Sequence, residues 1–430
     1  MSSLASVDFS FSALRRFPDV EAPNLQAWDA TDELLVQRAL AAGVSGDEIA
    51  VIGDEYGAIT LALTDAGLRG IRVHQDLATG RRALAHNAAA LSLGGFSSHE
   101  LDASLLGGAR LVLLQLPKAL AELEEIVDAV ARWAAPDVTL IAGGRVKHMT
   151  LTQNEVIGRS FEVVQPQRAE RKSRLIVATG RRDAPAQPPF PVAAEVEVPG
   201  LSQPLTVVAH GGAFAGARLD IGTRVLLEAL AAERTSGLGS QLRRNGQIPP
   251  SPRRNDADPH NSSGVVPGAS TAPRHTSTSP TAASTTPGTV VDLGCGTGVL
   301  AATYALTHPD ARIIATDRSA AAVASARATM RANGVDDRVT VTHDDAGSEI
   351  PDAAADLVLL NPPFHLGASV HTGAASRLFA AAARMLRPGG ELLTVFNSSL
   401  GYRRELSATI GATEQVLRTP KFTVTRSVRR

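Results

Sequence analysis

The stretches VVDLGCGTG at residues 290–298 and NPPF at residues 361–364 decide the fold of this 430-residue chain. The first has the pattern of a buried β-strand that turns through closely spaced glycines into a helix. The second follows another apolar run and consists of an amide, two prolines and an aromatic ring. Glycine lacks a Cβ and tolerates positive φ, so the turn allows a ligand to approach the backbone closely. The two motifs together predict a pocket where a nucleoside-bearing cofactor meets a planar substrate.

Acidic residues follow the next two predicted strands. Asp317 ends ARIIATD, 23 residues after Gly294, and a carboxylate at this position can accept hydrogen bonds from both hydroxyls of a ribose. Capping of the following helix by Asp317 or Ser319 is a compatible alternative. After the third strand, Asp345 stands where an adenine ring would reach, and its neighbour Asp344 is a rival for that role. The predicted cofactor contacts in these motifs are Asp292, Gly294, Cys295, Gly296, Gly298, Asp317, Asp345 and Asn361.

The NPPF motif suits methyl transfer to an exocyclic nitrogen, which is a poor nucleophile because its lone pair is delocalised into the ring. An enzyme must hold such an amino group in line with a methyl sulfonium. The side-chain oxygen of Asn361 and the carbonyl of Pro362 can accept both N–H groups, Pro363 helps to stiffen the loop, and Phe364 offers a stacking face. These four residues are the predicted catalytic residues of an S-adenosylmethionine-dependent N-methyltransferase. His365 is interpreted as pocket lining without an acid–base role.

The segment HGGAFAGARLDIGT at residues 210–223 precedes this core. Phe214 and Asp220 are predicted to close over the methionine end of the cofactor, and a plain loop-to-helix entry is an equal alternative. The eleven histidines show no metal-ligand spacing with the single cysteine, so the sequence predicts no metal.

Apolar runs typical of strands alternate with Ala-, Leu- and Arg-rich helical runs, and this alternation occurs twice. Such alternation predicts an α/β fold with parallel sheets and helices on both faces. The first set of strands is EIAVIG, GIRVHQ, ARLVLLQ, VTLIAGG and SRLIVAT, and the second is TVVDLG, ARIIATD, RVTVTHD, ADLVLLN, GELLTVFN and KFTVTRSV.

The two halves also correspond at their motifs. VIGDEYG at 51–57 matches the glycine turn and LVLLQLPK at 111–118 matches the NPPF run; Gly53 and Gln115 are 62 residues apart, against 67 from Gly294 to Asn361. Equal order and similar spacing indicate duplication of a whole domain. We therefore expect two tandem class I (Rossmann-like) methyltransferase domains, a degenerate one over residues 1–185 and a catalytic one over 195–430. The first is expected to bind no cofactor, because its motifs are replaced by Asp54, Glu55, Gln115, Leu116 and Lys118.

Residues 234–288 are dense in Ser, Thr, Pro and Gly and nearly free of large apolar side chains. Such a segment cannot bury enough surface to offset its ordering entropy, so it is predicted to be a disordered insertion in the second domain. Because it precedes VVDLG, it should start at the amino end of that strand, whereas ligands bind at the carboxyl ends. A flexible coil of this length spans roughly 40 Å, so contact with distant RNA stays open.

A formal net charge of −1 argues against a protein that coats nucleic acid nonspecifically, but it leaves room for a local basic surface. The single cysteine fits a reducing compartment, and the sequence has neither an apolar run of membrane-spanning length nor a signal-peptide pattern. We expect a cytoplasmic protein. Basic residues cluster at Arg168, Arg171, Lys172 and Arg174, and again at Lys421, Arg426, Arg429 and Arg430.

Over nearly its whole length the chain resembles the bacterial ribosomal RNA guanine-N2 methyltransferases, which have duplicated domains and an NPPFH motif. Residues 15–35, 116–125 and 421–430 are more similar to the large-subunit (23S) than to the small-subunit (16S) branch. The resemblance implies S-adenosylmethionine as cofactor, a guanine in ribosomal RNA as substrate, and a first domain that helps to bind or present RNA. It also implies that Gly294, Gly296, Asp317 and Asp345 contact the cofactor and that residues 361–364 form the target-base loop.

Three alternatives stay open. Adenine-N6 and protein glutamine-N5 methyltransferases use a similar Asn/Asp-Pro-Pro-aromatic loop. A nicotinamide oxidoreductase would need a GxGxxG turn and would leave NPPF without a task. A non-catalytic RNA-binding or ribosome assembly factor suits the first domain alone, and the intact motifs of the second domain speak against it.

Overall fold

The computed structural model describes residues 9–235, 288–363 and 372–430. Phe364, His365 and residues 236–287 of the predicted insertion lie outside the described residues. None of the helices in the described ranges has the length and apolar content needed to cross a lipid bilayer.

The first half of the chain forms a seven-stranded sheet with helices around it. Its strands are β1 (Ile49–Ile52), β2 (Ile71–His74), β3 (Phe96–Ser98), β4 (Leu111–Gln115), β5 (Thr139–Arg145), β6 (Phe161–Pro166) and β7 (Ser173–Arg181). Its helices are α1 (Ala30–Ala42), α2 (Ala58–Asp65), α3 (Ala78–Leu91), α4 (Ala103–Leu106), α5 (Leu120–Trp133) and α6 (Leu151–Ser160), with short 3-10 turns at Phe11–Ala13, Gly46–Glu48 and Val146–His148.

A two-stranded sheet, β8 (Val192–Val196) with β9 (Leu205–Ala209), leads to a second seven-stranded sheet. The strands of that sheet are β10 (Thr289–Leu293), β11 (Arg312–Asp317), β12 (Val339–His343), β13 (Ala355–Leu360), β14 (Leu386–Asn397), β15 (Thr413–Arg418) and β16 (Phe422–Val428). The helices of this half are α7 (Ile221–Thr235), α8 (Val299–Thr307), α9 (Ala320–Ala332), α10 (Thr372–Met385) and α11 (Arg403–Thr409).

The two large sheets have the same strand order. The order is β3-β2-β1-β4-β5-β7-β6 in the first sheet and β12-β11-β10-β13-β14-β16-β15 in the second. If the strands of the second sheet are renumbered with β10 as the first, the two orders are identical. The prediction of a twice-repeated α/β fold is therefore confirmed. The sheets are not wholly parallel, because β7 and β16 run antiparallel to both of their neighbours. Short hairpins join β6 to β7 and β15 to β16, and a parallel pair would need a longer crossover.

Each sheet is buried on both faces, which explains why its central strands are continuous apolar runs. In β1, Ile49 and Val51 belong to one buried cluster, while Ala50 and Ile52 belong to another on the opposite face. The same alternation in β13 places Leu359 and Leu360 in different clusters. Helices on both sides cover these faces and hold the carboxyl ends of the strands in fixed positions.

One edge of β9 pairs with β8, and the other edge is covered by one face of helix α9. Ser325, Thr329 and Asn333 follow each other at intervals of four residues and therefore share a face. Their side-chain oxygens accept hydrogen bonds of 2.9, 3.0 and 3.1 Å from the backbone N–H groups of His210, Val208 and Thr206. Strand β9 and the residue that follows it are thus attached to helix α9 of the second copy.

The two copies meet at corresponding loops, each following the second strand of its sheet. Leu77 and Ser319 form an isolated antiparallel bridge. On either side of it, the Ala78 N–H donates to the Arg318 carbonyl at 2.8 Å and the Ala320 N–H donates to the Asp76 carbonyl at 2.9 Å. The first copy is therefore in contact with the edge of the second sheet that carries the motif residues described next.

Candidate active site

The predicted site residues lie side by side at the carboxyl edge of the second sheet. Strands β12, β11, β10 and β13 are consecutive neighbours, and their register pairs His343 with Asp317, Thr316 with Leu293, and Leu293 with Leu360. The residues at or just after these strand ends are, in spatial order, the pair Asp344 and Asp345, then Asp317, Gly294 and Asn361. The fold thus brings together residues separated by up to 67 positions in the sequence.

The three glycines of the turn have different surroundings, although all have positive φ values, of 77° (Gly294), 54° (Gly296) and 80° (Gly298). A Cβ added to Gly294 or Gly296 would meet no atom of the described residues within 4 Å. A Cβ on Gly298 would lie 2.6 Å from Met330 Cε and 3.0 Å from Ala326 Cβ. Gly298 is therefore required for packing α8 against α9, while Gly294 and Gly296 face open space that a ligand can fill.

Asp292 is a buried carboxyl near the end of β10. Its Oδ2 accepts a hydrogen bond of 3.0 Å from the Ala301 N–H near the start of α8, and its Oδ1 is buried without a partner in the described residues. Burial raises the pKa of Asp292 to about 7, and the neighbouring Asp317 adds to the effect. One oxygen therefore holds the helix, and the other is an unused acceptor.

Asp317 connects the glycine turn with α9. Its Oδ2 accepts from the Gly296 N–H and its Oδ1 accepts from the Ser319 N–H, both at 2.9 Å. Burial raises the pKa of Asp317. The N-cap role belongs to Ser319, whose side chain accepts from Ala322 N. Each carboxylate oxygen has a second lone pair, so contact with ribose hydroxyls is compatible with these bonds and stays a prediction.

Cys295 lies in the turn with its side chain buried. Its N–H donates to the Thr316 carbonyl at 3.0 Å. Burial raises the pKa of the thiol well above its usual range, with contributions from Asp317 and Asp292. Burial therefore favours the neutral thiol, which is a weak nucleophile.

The adjacent acids Asp344 and Asp345 have different partners. Asp344 accepts from Ser348 Oγ at 2.6 Å, from the Glu349 N–H at 2.8 Å and from Arg82 Nη2 at 2.6 Å. Burial would raise the pKa of Asp344, but these hydrogen bonds outweigh burial and lower it. Asp345 pairs with the side chain of Arg377. Asp344 already accepts from two groups of its own loop and from Arg82, which favours Asp345 as the predicted adenine contact.

Asn361 is held by two side chains at the start of helix α7. Its Nδ2 donates to Asp220 Oδ2 at 3.0 Å and to Thr223 Oγ1 at 2.9 Å. A carboxylate can only accept, so this contact fixes which end of the amide faces Asp220. The other end, Oδ1, is buried and has no hydrogen-bond partner in the described residues. Pro362 is buried beside it and Pro363 is exposed.

Asp220 and Phe214 differ in how they relate to this site. Asp220 contacts Asn361 directly, and its Oδ2 also accepts from the Thr223 N–H at 3.2 Å. Phe214 lies on the loop before α7 with 67% of its surface exposed. Their contact with the methionine end of a cofactor stays a prediction, and Asp220 has a second function in holding Asn361.

In the first copy, two of the residues that replace the motifs bind other protein groups. Gln115, at the position of Asn361, donates to Asp32 at 2.5 Å, and its backbone oxygen and Cβ lie within 3.3 Å of the place that a Cβ on Gly53 would take. Asp54 Oδ2 accepts from the Thr60 N–H at 2.7 Å, as Asp292 does from Ala301. These contacts give Gln115 and Asp54 structural roles within the first copy.

Four residues that contact the predicted site residues or the helix beside them were not predicted from the sequence: Thr223, Arg377, Arg82 and Asp76. Thr223 lies three residues after Asp220 in LDIGT, a segment that the sequence analysis had already identified, so its role could have been predicted from its position there. Arg82 and Asp76 belong to the first copy, and nothing in their sequence context points to the second. Among the described residues, no group of three or more His, Cys, Asp or Glu side chains is placed to hold a metal ion.

The two predicted basic clusters are only partly available to a ligand. Arg426 is 17% exposed and paired with Glu233, Glu391 and Glu414. Arg171 is paired with Glu33. The positive charges of Arg171 and Arg426 are therefore largely neutralised by acidic side chains of the protein itself.

Comparison with known proteins gives matches along the whole chain. Residues 2–182 match the family model described as the RLMG N-terminal domain, and residues 279–426 match the methyltransferase small domain. The protein named ribosomal RNA large subunit methyltransferase G from Streptomyces avermitilis is 33% identical over 426 residues, which cover 97% of each chain. The protein of the same name from Pseudomonas aeruginosa PAO1 is 30% identical over 431 residues, 99% of each chain.

Among solved structures, a similar one is the Thermus thermophilus 16S rRNA N2 G1207 methyltransferase in complex with AdoMet and guanosine. Its TM-score is 0.67 at 20% sequence identity, and the match covers 94% of this chain and 92% of that one. At this identity the similarity establishes a common fold over both copies.

Proposed function

The chain belongs to the family of ribosomal RNA large subunit methyltransferase G, and from this we propose that it transfers a methyl group from S-adenosylmethionine to N2 of a guanine in 23S ribosomal RNA. The family relationship makes the protein an S-adenosylmethionine-dependent methyltransferase. The large-subunit RNA is favoured because the full-length relatives carry that name. The exocyclic guanine nitrogen is supported by the chemistry of the Asn361 site.

The observation that carries the proposal is the buried Oδ1 of Asn361, which has no hydrogen-bond partner among the residues that the structure describes. A buried acceptor without a partner costs free energy, on the order of 1–3 kcal/mol, so it is retained where a ligand supplies the donor. The amino group of guanine is such a donor. When Oδ1 accepts one of its N–H groups, the nitrogen lone pair is drawn out of conjugation and directed at the methyl group. The Pro362 carbonyl is the proposed second acceptor.

The residues at the strand ends fit a nucleoside-bearing cofactor. Gly294 and Gly296 supply room, and Oδ1 of Asp292, for which the described ranges contain no partner, supplies a hydrogen-bond acceptor. We assign the ribose to Asp317, the adenine to Asp345 and the amino group of the methionine end to Asp292. The cofactor supplies an electrophilic methyl group on a sulfonium. The protein's part is to orient the two reactants and to exclude water.

The division of labour between the copies is part of the proposal. Residues 195–430 would bind cofactor and target base, and residues 1–185 would support them and contact RNA. Ribosomal RNA is transcribed and assembled in the bacterial cytoplasm, so the proposed substrate also supports a cytoplasmic location.

The test is mass mapping of modified nucleotides in 23S and 16S ribosomal RNA from a strain that lacks the gene. We expect loss of one N2-methylguanine in 23S RNA, which wild-type protein restores and Asn361→Ala does not. The Asn361→Ala protein should still bind S-adenosylhomocysteine, which separates loss of base positioning from loss of cofactor. Loss of a 16S modification, of an N6-methyladenine or of a protein glutamine methylation would contradict the assignment.

A further inference from the structure

Arg82 reaches from the first copy into the second. It lies in the first turns of α3 and belongs to the degenerate half of the chain. Its Nη2 donates to Asp344 Oδ1 at 2.6 Å and its Nη1 donates to Ser348 Oγ at 2.9 Å. Glu349 Oε1 is 3.7 Å from Nη2. One guanidinium therefore binds two side chains of the loop that follows β12, and Asp344 is 262 residues further along the chain.

Asp344 depends on this cation because its side chain is only 1% exposed. An ionised carboxylate at that depth needs a charged or strongly hydrogen-bonding partner. Within its own loop it has Ser348 Oγ and the Glu349 N–H, and both are neutral donors. Arg82 is the cation that contacts it, at 37% exposure.

The loop held by Arg82 is the one to which the adenine is assigned. Asp344 N donates to the Asp317 carbonyl at 3.0 Å, so the loop is attached to the residue assigned to the ribose. Asp345 is covalently next to Asp344, and Ser348 N donates to the Asp345 carbonyl at 3.1 Å. A change in the position of Asp344 would therefore be transmitted directly to Asp345.

Asp76 makes a second contact from the first copy to the same region. It lies in the loop that follows the first copy's second strand, as Arg318 does in the second copy. Its Oδ1 accepts from the Ala321 N–H at 2.8 Å, in the first turn of α9, and its carbonyl lies 2.9 Å from His343 Nε2. A carboxylate of the first copy thus caps the helix that begins directly after the residue assigned to the ribose.

We propose that Arg82 is a positioning residue for the adenosine half of the cofactor site, supplied by the copy that has lost its own site. It acts through Asp344 and Ser348, which set the place of Asp345, and Asp76 fixes the neighbouring start of α9. This inference rests on the proposed function, because it requires cofactor binding at the carboxyl edge of the second sheet. It assigns to the first copy a role in cofactor affinity that is separate from any contact with RNA.

The experiment compares three full-length variants with wild type by calorimetric titration of S-adenosylhomocysteine and of 5′-methylthioadenosine. Arg82→Met removes the charge and keeps most of the stem, while Arg82→Lys keeps the charge and loses the two-pronged donor. Arg132→Met is the matched control. Arg132 pairs with the buried carboxylate of Asp128 at 3.1 Å and also donates to the Pro185 carbonyl, so its partners belong to the first copy.

We expect Arg82→Met to raise the Kd for both ligands by roughly tenfold, the range of coupling typical between distinct sites. Arg82→Lys should lie between Arg82→Met and wild type. Arg132→Met should leave both Kd values unchanged although it loses a similar ion pair. The methyl-transfer rate at saturating S-adenosylmethionine should fall less than the rate at low concentration, because the defect lies in binding.

The equal loss for the two ligands is the diagnostic result. The methylthio compound lacks the amino acid end, so a defect on the adenosine side affects it as much as the full ligand. Unchanged Kd values in both Arg82 variants overturn the inference, as does an equal loss in Arg132→Met, which would indicate general destabilisation. Should Arg82→Met not fold, the Lys variant decides by the same criterion. Failure of wild type to bind S-adenosylhomocysteine would instead contradict the proposed function.

Discussion

The Nδ2 of Asn361 donates a hydrogen bond of 3.0 Å to Oδ2 of Asp220, a residue 141 positions earlier in the chain. This contact and the one to Thr223 use both amide hydrogens. The amide plane is thereby fixed, and its oxygen points away from the pair that holds it. The orientation of the acceptor assigned to the target base is thus determined by the first residues around helix α7 and not by the NPPF loop alone.

Removing the side-chain acceptor of Asp220 or of Thr223 should lower the turnover rate more than it lowers the affinity for the cofactor. We expect Asp220→Ala and Thr223→Val each to reduce kcat by about fivefold, because one hydrogen bond of about 1 kcal/mol no longer orients the amide. Kd for S-adenosylhomocysteine should change by less than about twofold. Steady-state kinetics and titration on the same preparations give both quantities.

Asp220→Asn is the control for this prediction. It keeps an acceptor for Asn361 Nδ2 and should retain most of the wild-type kcat. The competing prediction, that Asp220 contacts the methionine end of the cofactor, requires the opposite pattern. A large increase in Kd for Asp220→Ala would support that contact and contradict the positioning role.

Alanine substitutions at two glycines of the turn should separate an effect on folding from an effect on cofactor binding. A Cβ at Gly298 would lie 2.6 Å from Met330 Cε, so Gly298→Ala is expected to destabilise the fold by about 1–3 kcal/mol through overpacking. A Cβ at Gly296 would have no neighbour within 4 Å in the part of the chain that the structure describes. Gly296→Ala should therefore fold nearly normally and lose affinity for S-adenosylhomocysteine, since its methyl group occupies space assigned to the cofactor.

Gly334→Ala controls for backbone strain in that comparison. Gly334 has a φ of 64°, and a Cβ added there would also meet none of the described atoms within 4 Å, but it lies just beyond the end of α9, away from the site. Its melting temperature should resemble that of Gly296→Ala, at a cost of about 1 kcal/mol, with binding intact. Equal affinities for the two variants would show that the space at Gly296 is not used by the ligand.

The sequence was sufficient to predict the strands that are buried on both faces. Thr289–Leu293 and Ala355–Leu360 are largely apolar, and their ends are marked by Gly294 and Asn361. Phe96–Ser98 was not predicted, because it is three residues long and two of them are exposed. Thr413–Arg418 was not predicted either, because it is a largely exposed edge strand without apolar alternation.

The sequence was sufficient to identify individual residues of the site, but not the contacts between them and residues elsewhere in the chain. Gly294, Asp317 and Asn361 could be identified because each marks the end of a strand of recognisable pattern. The bond from Arg82 to Asp344 joins residues of different copies, and a lone arginine in a helix gives no signal of its partner. The distinct role of Gly298 was also hidden, because the contact with Met330 depends on how α8 packs against α9.

Phe214 gives a simple test of its predicted closure over the cofactor. Its ring is 67% exposed, so Phe214→Ala should change the free energy of unfolding by no more than about 0.5 kcal/mol. If the ring covers the bound cofactor, Kd for S-adenosylhomocysteine should rise several-fold at unchanged melting temperature. Leu151→Ala, at a side chain that is 78% exposed in the first copy, is the control for loss of an exposed apolar group.

An unchanged Kd in Phe214→Ala, accompanied by a higher KM for RNA, would contradict the cofactor contact. It would place the ring on the RNA-binding surface, where an exposed aromatic side chain can stack on a base. Filter binding of labelled 23S RNA fragments measures this second quantity independently of turnover.

Asp292 should make cofactor affinity depend on pH. Burial raises its pKa to about 7 in the protein without ligand, and an ammonium group binds the ionised form better than the neutral one. Affinity for S-adenosylhomocysteine should therefore fall as the pH drops below 7, by up to about tenfold per pH unit, with a proton released on binding. Titrations at pH 6, 7 and 8 in buffers of different ionisation enthalpy measure both effects.

The same carboxyl should affect stability in the opposite sense. Its pKa is higher in the folded than in the unfolded chain, so between about pH 4 and 7 the folded state binds more protons and stability decreases as the pH rises. Asp292→Asn keeps the acceptor for Ala301 N–H and removes the charge, so it should melt at a higher temperature than wild type at pH 8 and show a smaller gain at pH 5. It should also bind S-adenosylhomocysteine more weakly at pH 8, without the pH dependence. The exposed Asp310→Asn should do none of this, and a wild-type affinity that does not vary between pH 6 and 8 would contradict the assignment of the amino group to Asp292.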